Sequence, residues 1–524
     1  MRRIYGIGET VYDIIFRNET PQRAVPGGSC FNSLISLGRC GLHPTMVTET
    51  GDDHVGSIIT QFMEENGVST DFVTINPGTK THISLAFLDE NNDARYQFYK
   101  DHASASVEPR FPEFHADDVV LFGSFFAVNP VIRNYTREFL QRAHDAGCIL
   151  YYDVNFRAAH KADLPKVLSN IEENMRLATV VRGSTEDFEC IYGTTDAEEI
   201  FTQHISALCS NFICTAGPGV IHAFNAGTHT TVRNAPLEIQ TISTIGAGDN
   251  FNAGFIYAIC RNNLLLSDFA PSSDTDASHA SAERFVRLIP MGESFAQNVC
   301  QSWDNYVSKE FVAALVAEEL ERRKAFLFDL DGVIIDTEGQ YQKFWATIGR
   351  EFLPEIPDFA TRIKGSTLVA IHDNYFRNLE IRAEVDRRLF NYEEQMQYCM
   401  FERVEEFIIQ ARKQGHECAI VTSSNCDKME SLAKQLPALT SLFDHVFTAE
   451  DAGRGKPFPD CYVKAAHHFG YAPEECVVFE DSINGLKAAQ SSGAYVVGLT
   501  TTHQKSLVNQ FANAIVSQLA DLIF

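Results

Sequence analysis

The 524-residue sequence contains no Lys/Arg-rich stretch, no internal repeat, no low-complexity tract and no run of about 18 apolar residues, the length a membrane-spanning helix needs. A helical membrane span is therefore not expected. Positive charge is also scarce: 43 Lys+Arg stand against 69 Asp+Glu, a formal net charge of -26. Such a surface repels nucleic acid and anionic membranes, so neither is an expected partner. Phosphates must then be held locally, by backbone N–H groups and one or two lysines. The 13 cysteines include no C-x-x-C pair, and their odd, scattered pattern reads as free thiols in a reducing compartment. In MRRIYGIGETVYDIIF, Glu9 and Asp13 interrupt the apolar stretch, so the segment reads as a first strand and not a signal peptide. The expected location is the cytoplasm.

What is present is ordinary for a globular protein, with 45% apolar and 21% charged residues. The length exceeds one core, so two or more domains are expected. Short apolar strands alternate with longer helix-like stretches, as in VVLFGSFF (119–126), CILYYDVNF (148–156) and NFICTAG (211–217). That rhythm predicts parallel sheets covered by helices, an α/β fold. Residues 80–100 differ, reading as two alternating strands around a polar turn, an antiparallel hairpin able to serve as a lid. LLSDFAPSSDTDASHA (265–280) reads as a loop entering a helix, and YVSKEFVAALVAEELERRK (306–324) as a helix. AFLFDLDG then opens a new strand. The expected division is a first domain over 1–310, with lid strands near 10–25 and 80–100, a linker helix over 311–323, and a second domain over 324–524.

In STIGAGDNF (243–251) the backbone N–H groups of Gly246, Ala247 and Gly248 can point at one spot. At a helix N-terminus they gain the positive end of the helix dipole, which suits a transferring phosphoryl group. Asp249 then stands at the edge of the cradle, placed to accept a hydroxyl proton; by itself it is equally an N-cap in a tight turn. Upstream, PGGSCFN (26–32) supplies Gly27 and Gly28 for close backbone approach and Asn32 as donor and acceptor, followed by ETGDDHVG (49–56).

Together these motifs resemble the PfkB/ribokinase family of sugar kinases over about residues 1–305. GIGETVYD and DVNFR (153–157) are similar to segments of its fructokinase branch. The resemblance implies a three-layer α/β body with a small β-sheet lid, ATP and Mg2+ as cofactors, and a fructose-like sugar as substrate. It makes Asp249 the catalytic base and Gly246, Ala247 and Gly248 the anion hole. Asp13, Gly27, Gly28 and Asn32 match sugar-contacting positions, and Asn155 and Arg157 positions near the sugar and transferring phosphate. Thr215 and Gly217 match the loop near the nucleotide phosphates, and His279 a position near the adenine. Lids in this family often pair, which implies a possible homodimer. The sequence departs from the family pattern in three places. Ser243-Thr244 replaces Asp-Thr, leaving backbone carbonyls to hold any monovalent cation such as K+. Ser184-Thr185-Glu186-Asp187 replaces the Asn-x-x-Glu that organises Mg2+, keeping a shorter carboxylate at Asp187. TAGPG (215–219) has its second glycine one position early.

AFLFDLDGVIIDTE (325–338) carries Asp329 and Asp331 two apart at the end of an apolar strand, where side chains point the same way. One carboxylate can attack phosphorus while the other protonates the leaving oxygen, and the pair attracts Mg2+. CAIVTSSN (418–425), GKPFPD (455–460) and CVVFEDSINGLKAA (476–489) add a hydroxyl, a lysine and two acids. These four motifs resemble the phosphatase/phosphoglucomutase branch of the haloacid dehalogenase-like superfamily over about 323–524, which implies a Rossmann-like domain with a helical cap near 338–402. By that resemblance Asp329 is the nucleophile and Asp331 the acid/base, while Thr422 and Lys456 bind the phosphoryl group. Glu480 and Asp481 hold Mg2+ with Asp329 and the backbone carbonyl of Asp331.

A β-phosphoglucomutase has a His where Tyr341 stands and a cap Arg where Leu368 stands, so a phosphatase is favoured. Lys364 is a further cap position able to contact substrate. The resulting expectation is a two-headed enzyme, a sugar kinase followed by a sugar-phosphate phosphatase, acting on different positions or different substrates or with one head regulating the other, because a shared phosphate would merely hydrolyse ATP. Two alternatives stay open: a kinase fused to a mutase, and a kinase-like sugar or nucleotide sensor regulating the phosphatase, for which Ser243 and Ser184 speak.

Overall fold

The computed structural model describes residues 2–88, 94–99, 110–217, 220–225, 228–233, 241–270, 275–363 and 368–522. The hairpin turn inside 80–100 and Lys364 lie outside them. The chain separates into two compact units, Arg2–Phe311 and Val312–Phe524, dividing inside the helix Lys309–Arg322.

Among the described residues the first unit has a nine-stranded sheet. Its spatial order is Thr228–Arg233, Val220–Asn225, Asn211–Thr215, Val180–Ser184, Ile149–Asp153, Val119–Gly123, Ile4–Ile7, Thr45–Gly51, Ser69–Asn76. All pairs are parallel except the two that join the first three strands. Such strands are buried on both faces, and their residues alternate between two helical layers. Tyr152 joins one core with Leu140, Ile171 and Phe188. Its neighbour Tyr151 points the other way, with its ring 5.5 Å from that of Phe255 in the helix Ala247–Arg261. The three-layer α/β body is thus explicit.

A separate sheet, four-stranded among the described residues, runs Thr20–Gly27, Val11–Arg17, Ile83–Leu88, Ala94–Tyr99, its two outer pairs antiparallel and its middle pair parallel. One correction concerns VVLFGSFF, read as a strand to residue 126. The strand stops at Gly123, where a Cβ would lie 2.0 Å from the Asp153 carbonyl oxygen, and Ser124–Val128 is a short helix.

Among the described residues the second unit has a six-stranded, all-parallel sheet in the order His445–Phe447, Glu417–Val421, Ala325–Phe328, Cys476–Glu480, Tyr495–Leu499, Ala514–Val516. Phe326 and Phe328 pack on one side with Phe407 and Leu432, and Ala325 and Leu327 on the other with Tyr462 and Leu486. Four helices, Glu338–Phe352, Phe359–Arg362, Leu368–Tyr375 and Leu379–Glu393, enclose a core of their own around Trp345, Phe359 and Val385. The chain enters and leaves this cap side by side: the Asp336 N–H donates to the Cys399 carbonyl at 2.9 Å and the Phe401 N–H to the Ile334 carbonyl at 3.0 Å. No described helix is long and apolar enough to cross a membrane.

Candidate active sites

In the first unit the helix Ala247–Arg261 begins at Gly246, whose φ of 78° is the left-handed conformation glycine tolerates. Asn250 locks this turn, donating to the carbonyls of Gly246 and Asn305 at 2.8 and 2.7 Å. Ala247, Gly248 and Asp249 therefore form the helix's first turn, where the N–H groups of Gly248 and Asp249 lack intrahelical partners; that of Ala247, expected in the anion hole, instead donates to the Thr244 carbonyl at 3.2 Å, closing the turn. A Cβ on Gly248 would lie 3.0 Å from Nη1 of Arg182, so a guanidinium backs the cradle.

Asp249 is buried, and both of its carboxylate oxygens are held. Ser29 Oγ donates to Oδ1 and Asn32 Nδ2 to Oδ2, each at 2.8 Å. Both donors come from the helix Ser29–Arg39, which starts at Gly28 with a φ of 126°. Burial pushes Asp249 up to about 6; the Asn32 and Ser29 bonds and the Arg157 charge limit the rise, whereas the Asp153 charge adds to it. Asn155 Nδ2 donates to Ser29 Oγ at 3.1 Å, which links it to the base. Asp13, on the small sheet, is pushed up to about 7 by burial and, further, by the charge of Asp249. Asn305 Nδ2 donates to Asp13 Oδ2 at 3.3 Å, and a Cβ on Gly27 would strike that same oxygen. Asp13, Gly27, Asn32, Asn155 and Asp249 thus converge.

Arg182 was not legible as a site residue. It is buried on Val180–Ser184, donating to Asp153 Oδ1 at 3.0 Å and Thr215 Oγ1 at 2.9 Å. Asn252 Nδ2 donates to the other Asp153 oxygen at 2.8 Å. Thr215 is thereby tied to the cradle, while a Cβ on Gly217, whose φ is 60°, would meet nothing within 4 Å among the described residues. Ser184 caps the helix Thr185–Tyr192: its Oγ accepts from the Asp187 N–H at 3.2 Å and donates to Asp187 Oδ2 at 2.8 Å. The Ser184 hydroxyl is thus committed to the helix end. Asp187 Oδ1 is buried without a hydrogen-bond partner, as fits a hard cation, and burial raises this carboxyl against the Arg157 charge. His279 falls on the helix Thr275–Val286, its side chain outside the described ones.

In the second unit the acids and the hydroxyl stand at the C-terminal ends of parallel strands, the end where ligands bind in open α/β sheets. Asp329 follows Ala325–Phe328, Thr422 follows Glu417–Val421, and Glu480 and Asp481 close Cys476–Glu480. Lys456 Nζ, buried, reaches Asp329 Oδ1 at 2.5 Å and Glu480 Oε1 at 2.7 Å. Asp329, Glu480 and Asp481 each offer an oxygen within 4.8 Å of the others. Asp481 Oδ1 is buried without a hydrogen-bond partner. Burial pushes Asp329 and Asp481 upward, and neighbouring carboxylates add to it. Three buried carboxylates with one bare oxygen fit a divalent cation that takes oxygen ligands.

The Asp331 carboxylate lies outside that trio. Lys428 Nζ reaches both of its oxygens, at 2.8 and 2.7 Å, with Thr337 Oγ1 and Ser424 Oγ as further donors. Burial acts upward on Asp331, but Lys428 and the two hydroxyls outweigh it and hold the carboxyl below its usual range. Lys428 was missed because it belongs to no motif.

A family model described as pfkB family carbohydrate kinase matches residues 1–268, and one for haloacid dehalogenase-like hydrolases matches residues 323–493. The chain belongs to both families. It joins a carbohydrate kinase to a haloacid dehalogenase-like phosphatase. The kinase half is similar to a fructokinase of Vibrio alginolyticus, 24% identical over 266 residues, which are 50% of this chain and 85% of that protein. The phosphatase half is similar to validoxylamine A 7'-phosphate phosphatase of Streptomyces hygroscopicus subsp. limoneus, 30% identical over 206 residues, 38% of this chain and 95% of the relative. Among solved structures, a fructokinase from Vibrio cholerae bound to fructose, ADP and calcium ion shares the kinase fold. Its TM-score is 0.51 at 19% identity, covering 60% of this chain and 98% of that one. Aminoimidazole riboside kinase from Salmonella enterica shares the fold with a TM-score of 0.50 at 18% identity, covering 60% and 99%.

Proposed function

We propose that the first unit transfers the γ-phosphoryl group of ATP to a hydroxyl of fructose or a related furanose, and that the second removes phosphate from a sugar phosphate with Mg2+. The observation carrying the first half is Asp249: a buried carboxylate with a raised pKa, oriented by Ser29 and Asn32, at the mouth of a helix N-terminus. The sugar O–H gives its proton to Asp249. The oxygen bonds to the γ-phosphorus, whose bond to the bridging oxygen breaks, and ADP departs. Gly246 and Gly248 offer N–H groups to the charge that develops, and Ala247 adds its own on turning away from the Thr244 carbonyl. Asp13 and Asn155 orient the sugar, and Arg157, Thr215 and Gly217 face the phosphates. Asp187 Oδ1 would hold the magnesium that accompanies ATP.

In the second unit an Asp329 oxygen bonds to phosphorus while the ester bond breaks; Asp331, ionised beside Lys428 at rest, takes a proton from solvent as the phosphate dianion binds and hands it to the leaving sugar oxygen. Water then attacks the acyl phosphate, giving a proton back to Asp331 and freeing Asp329 and inorganic phosphate. Lys456 and Thr422 steady the phosphoryl oxygens. Asp329, Glu480, Asp481 and the Asp331 carbonyl would hold Mg2+, which when bound offsets the repulsion between carboxylates and phosphate.

Tyr341 favours phosphatase over mutase: its Oη donates to Glu393 Oε1 at 2.8 Å, so a phenol occupies the wall where a mutase has its histidine. The kinase half is tested by ADP release over a panel of ketoses and aldoses. Sugar-dependent ADP formation, lost by a factor of about 100 or more in Asp249→Ala, is expected; ADP release indifferent to sugar contradicts it. The phosphatase half is tested by mass spectrometry of enzyme quenched during turnover of a sugar phosphate. A phosphoryl adduct on the peptide containing Asp329 is expected, and an adduct elsewhere contradicts it.

A further inference from the structure

Residues 303–306, Trp-Asp-Asn-Tyr, belong to no motif, yet each of the four meets the small sheet of the first unit. Trp303 packs on the cluster of Ile15, Val25, Ala86 and Leu88, with the Arg17 guanidinium 5.0 Å from its ring centre. Asp304 pairs with Arg23 at 2.5 Å, and Tyr306 Oη donates to the Pro26 carbonyl at 3.0 Å. Asn305 lies between them, 1% exposed, and donates from Nδ2 to Asp13 Oδ2 at 3.3 Å. Its carbonyl serves another element. It accepts from Asn250 Nδ2 at 2.7 Å, and a Cβ on Gly246 would lie 2.9 Å from it. One residue thus touches the carboxylate of the small sheet with its side chain, and the turn that opens the helix of Asp249 with its backbone. Gly27 completes the enclosure: a Cβ there would lie 2.0 Å from the same Asp13 oxygen and 3.5 Å from Asn305 Nδ2. Asp13 Oδ2 is therefore pinned, which fixes where the other oxygen of the carboxylate points. The amide also favours the ionised form of Asp13, against the burial and the Asp249 charge that push this carboxyl up to about 7.

We propose that Asn305 is a positioning residue for the sugar: its amide holds Asp13 by one oxygen so that the other meets a sugar hydroxyl, at a fixed place relative to the anion-hole turn. The inference rests on the reading of Asp13 as a sugar-holding residue of a kinase. The ion pair, the ring contact and the Tyr306 bond on either side hold the amide in place before any sugar arrives, so the site is organised in advance. Without the amide the Asp13 carboxylate is free to turn, and the cost falls on sugar binding. The backbone carbonyl that holds the Gly246 turn survives any substitution at 305, so ATP binding and the transfer step are spared. A residue that only supported the fold would harm all three.

The test uses the full chain with ATP and Mg2+ and reads ADP formation against fructose, or against the sugar of highest kcat/KM in the panel where fructose is not accepted. Asn305→Leu, close in size but without a donor, removes a hydrogen bond to a charged group. It is expected to raise KM for the sugar at least about tenfold, while kcat and KM for ATP each change less than about threefold. Should Asn305→Leu lose its thermal transition, Asn305→Ala carries the same comparison. An unchanged KM for the sugar, or a change in kcat or in KM for ATP as large as that in sugar KM, overturns the proposal in a folded variant. Asp13→Asn is measured beside it and is expected to weaken the sugar by at least as much. If wild type is active and Asp13→Asn loses sugar affinity while Asn305→Leu does not, the failure belongs to Asn305 alone. If wild type phosphorylates no sugar of the panel, or Asp13→Asn keeps its sugar KM, the reading of the sugar site itself falls, and this inference with it.

Discussion

Asp249 holds its two partners by opposite oxygens, and that arrangement sets a pH dependence. Its carboxyl is raised to about 6 by burial, with the Asn32 and Ser29 bonds opposing the rise. A base must be ionised, so kcat/KM for sugar phosphorylation is present above that pH and falls as pH drops through it. Asn32→Ala removes a donor to the ionised form, so the acid limb of the profile should move upward; an unmoved or lowered limb contradicts the role. Asp249 and Asp329 were legible in the sequence because each sits in a local motif, glycines before a helix in one case and a strand-end Asp pair in the other. Arg182 was not, since it meets Asp153 and Thr215 only because its strand lies between theirs in the sheet. Lys428 was hidden because it lies on a helix, 97 residues along the chain from Asp331. Contacts made across a sheet leave no spacing to read.

Helix ends decide how the sites are presented. Ser184 and Asp187 close a capping box, which answers the departure from Asn-x-x-Glu with a local purpose. Ser184→Ala should destabilise the first unit by about 1 kcal/mol in urea titration, with sugar kinase activity falling less than in Asp187→Ala. Equal loss of activity would make Ser184 a ligand as well as a cap. In the helix Ile483–Ser492, a Cβ on Gly485 would lie 1.6 Å from Glu480 Oε1. Gly485→Ala should therefore raise the Mg2+ concentration needed for half-maximal phosphate release, and an unchanged magnesium titration would remove Glu480 from the metal site. The alternation of apolar strands and helices made the α/β class legible, as did the helical pattern after the DLDG motif. The order of strands in each sheet was not, because it depends on crossovers between segments far apart in sequence. The overextended strand at 119–126 has the same origin: Gly123 yields to a carbonyl from the neighbouring strand.

At the scale of the whole molecule, each unit has its own sheet, its own cores and its own set of buried acids. The two chemistries are opposite in direction, so a substrate shared at one position would only consume ATP. Incubation with ATP, Mg2+ and the accepted sugar should accumulate a sugar phosphate, and immediate return of its phosphate to solution would contradict separate positions. The direct test of two independent phosphoryl-transfer centres is a single crossed measurement on wild type, Asp249→Ala and Asp329→Ala. ADP formation from ATP and sugar is followed beside phosphate release from a sugar phosphate. Asp249→Ala should lose the former and keep the latter, and Asp329→Ala should do the reverse; loss of both activities in either variant would contradict the account.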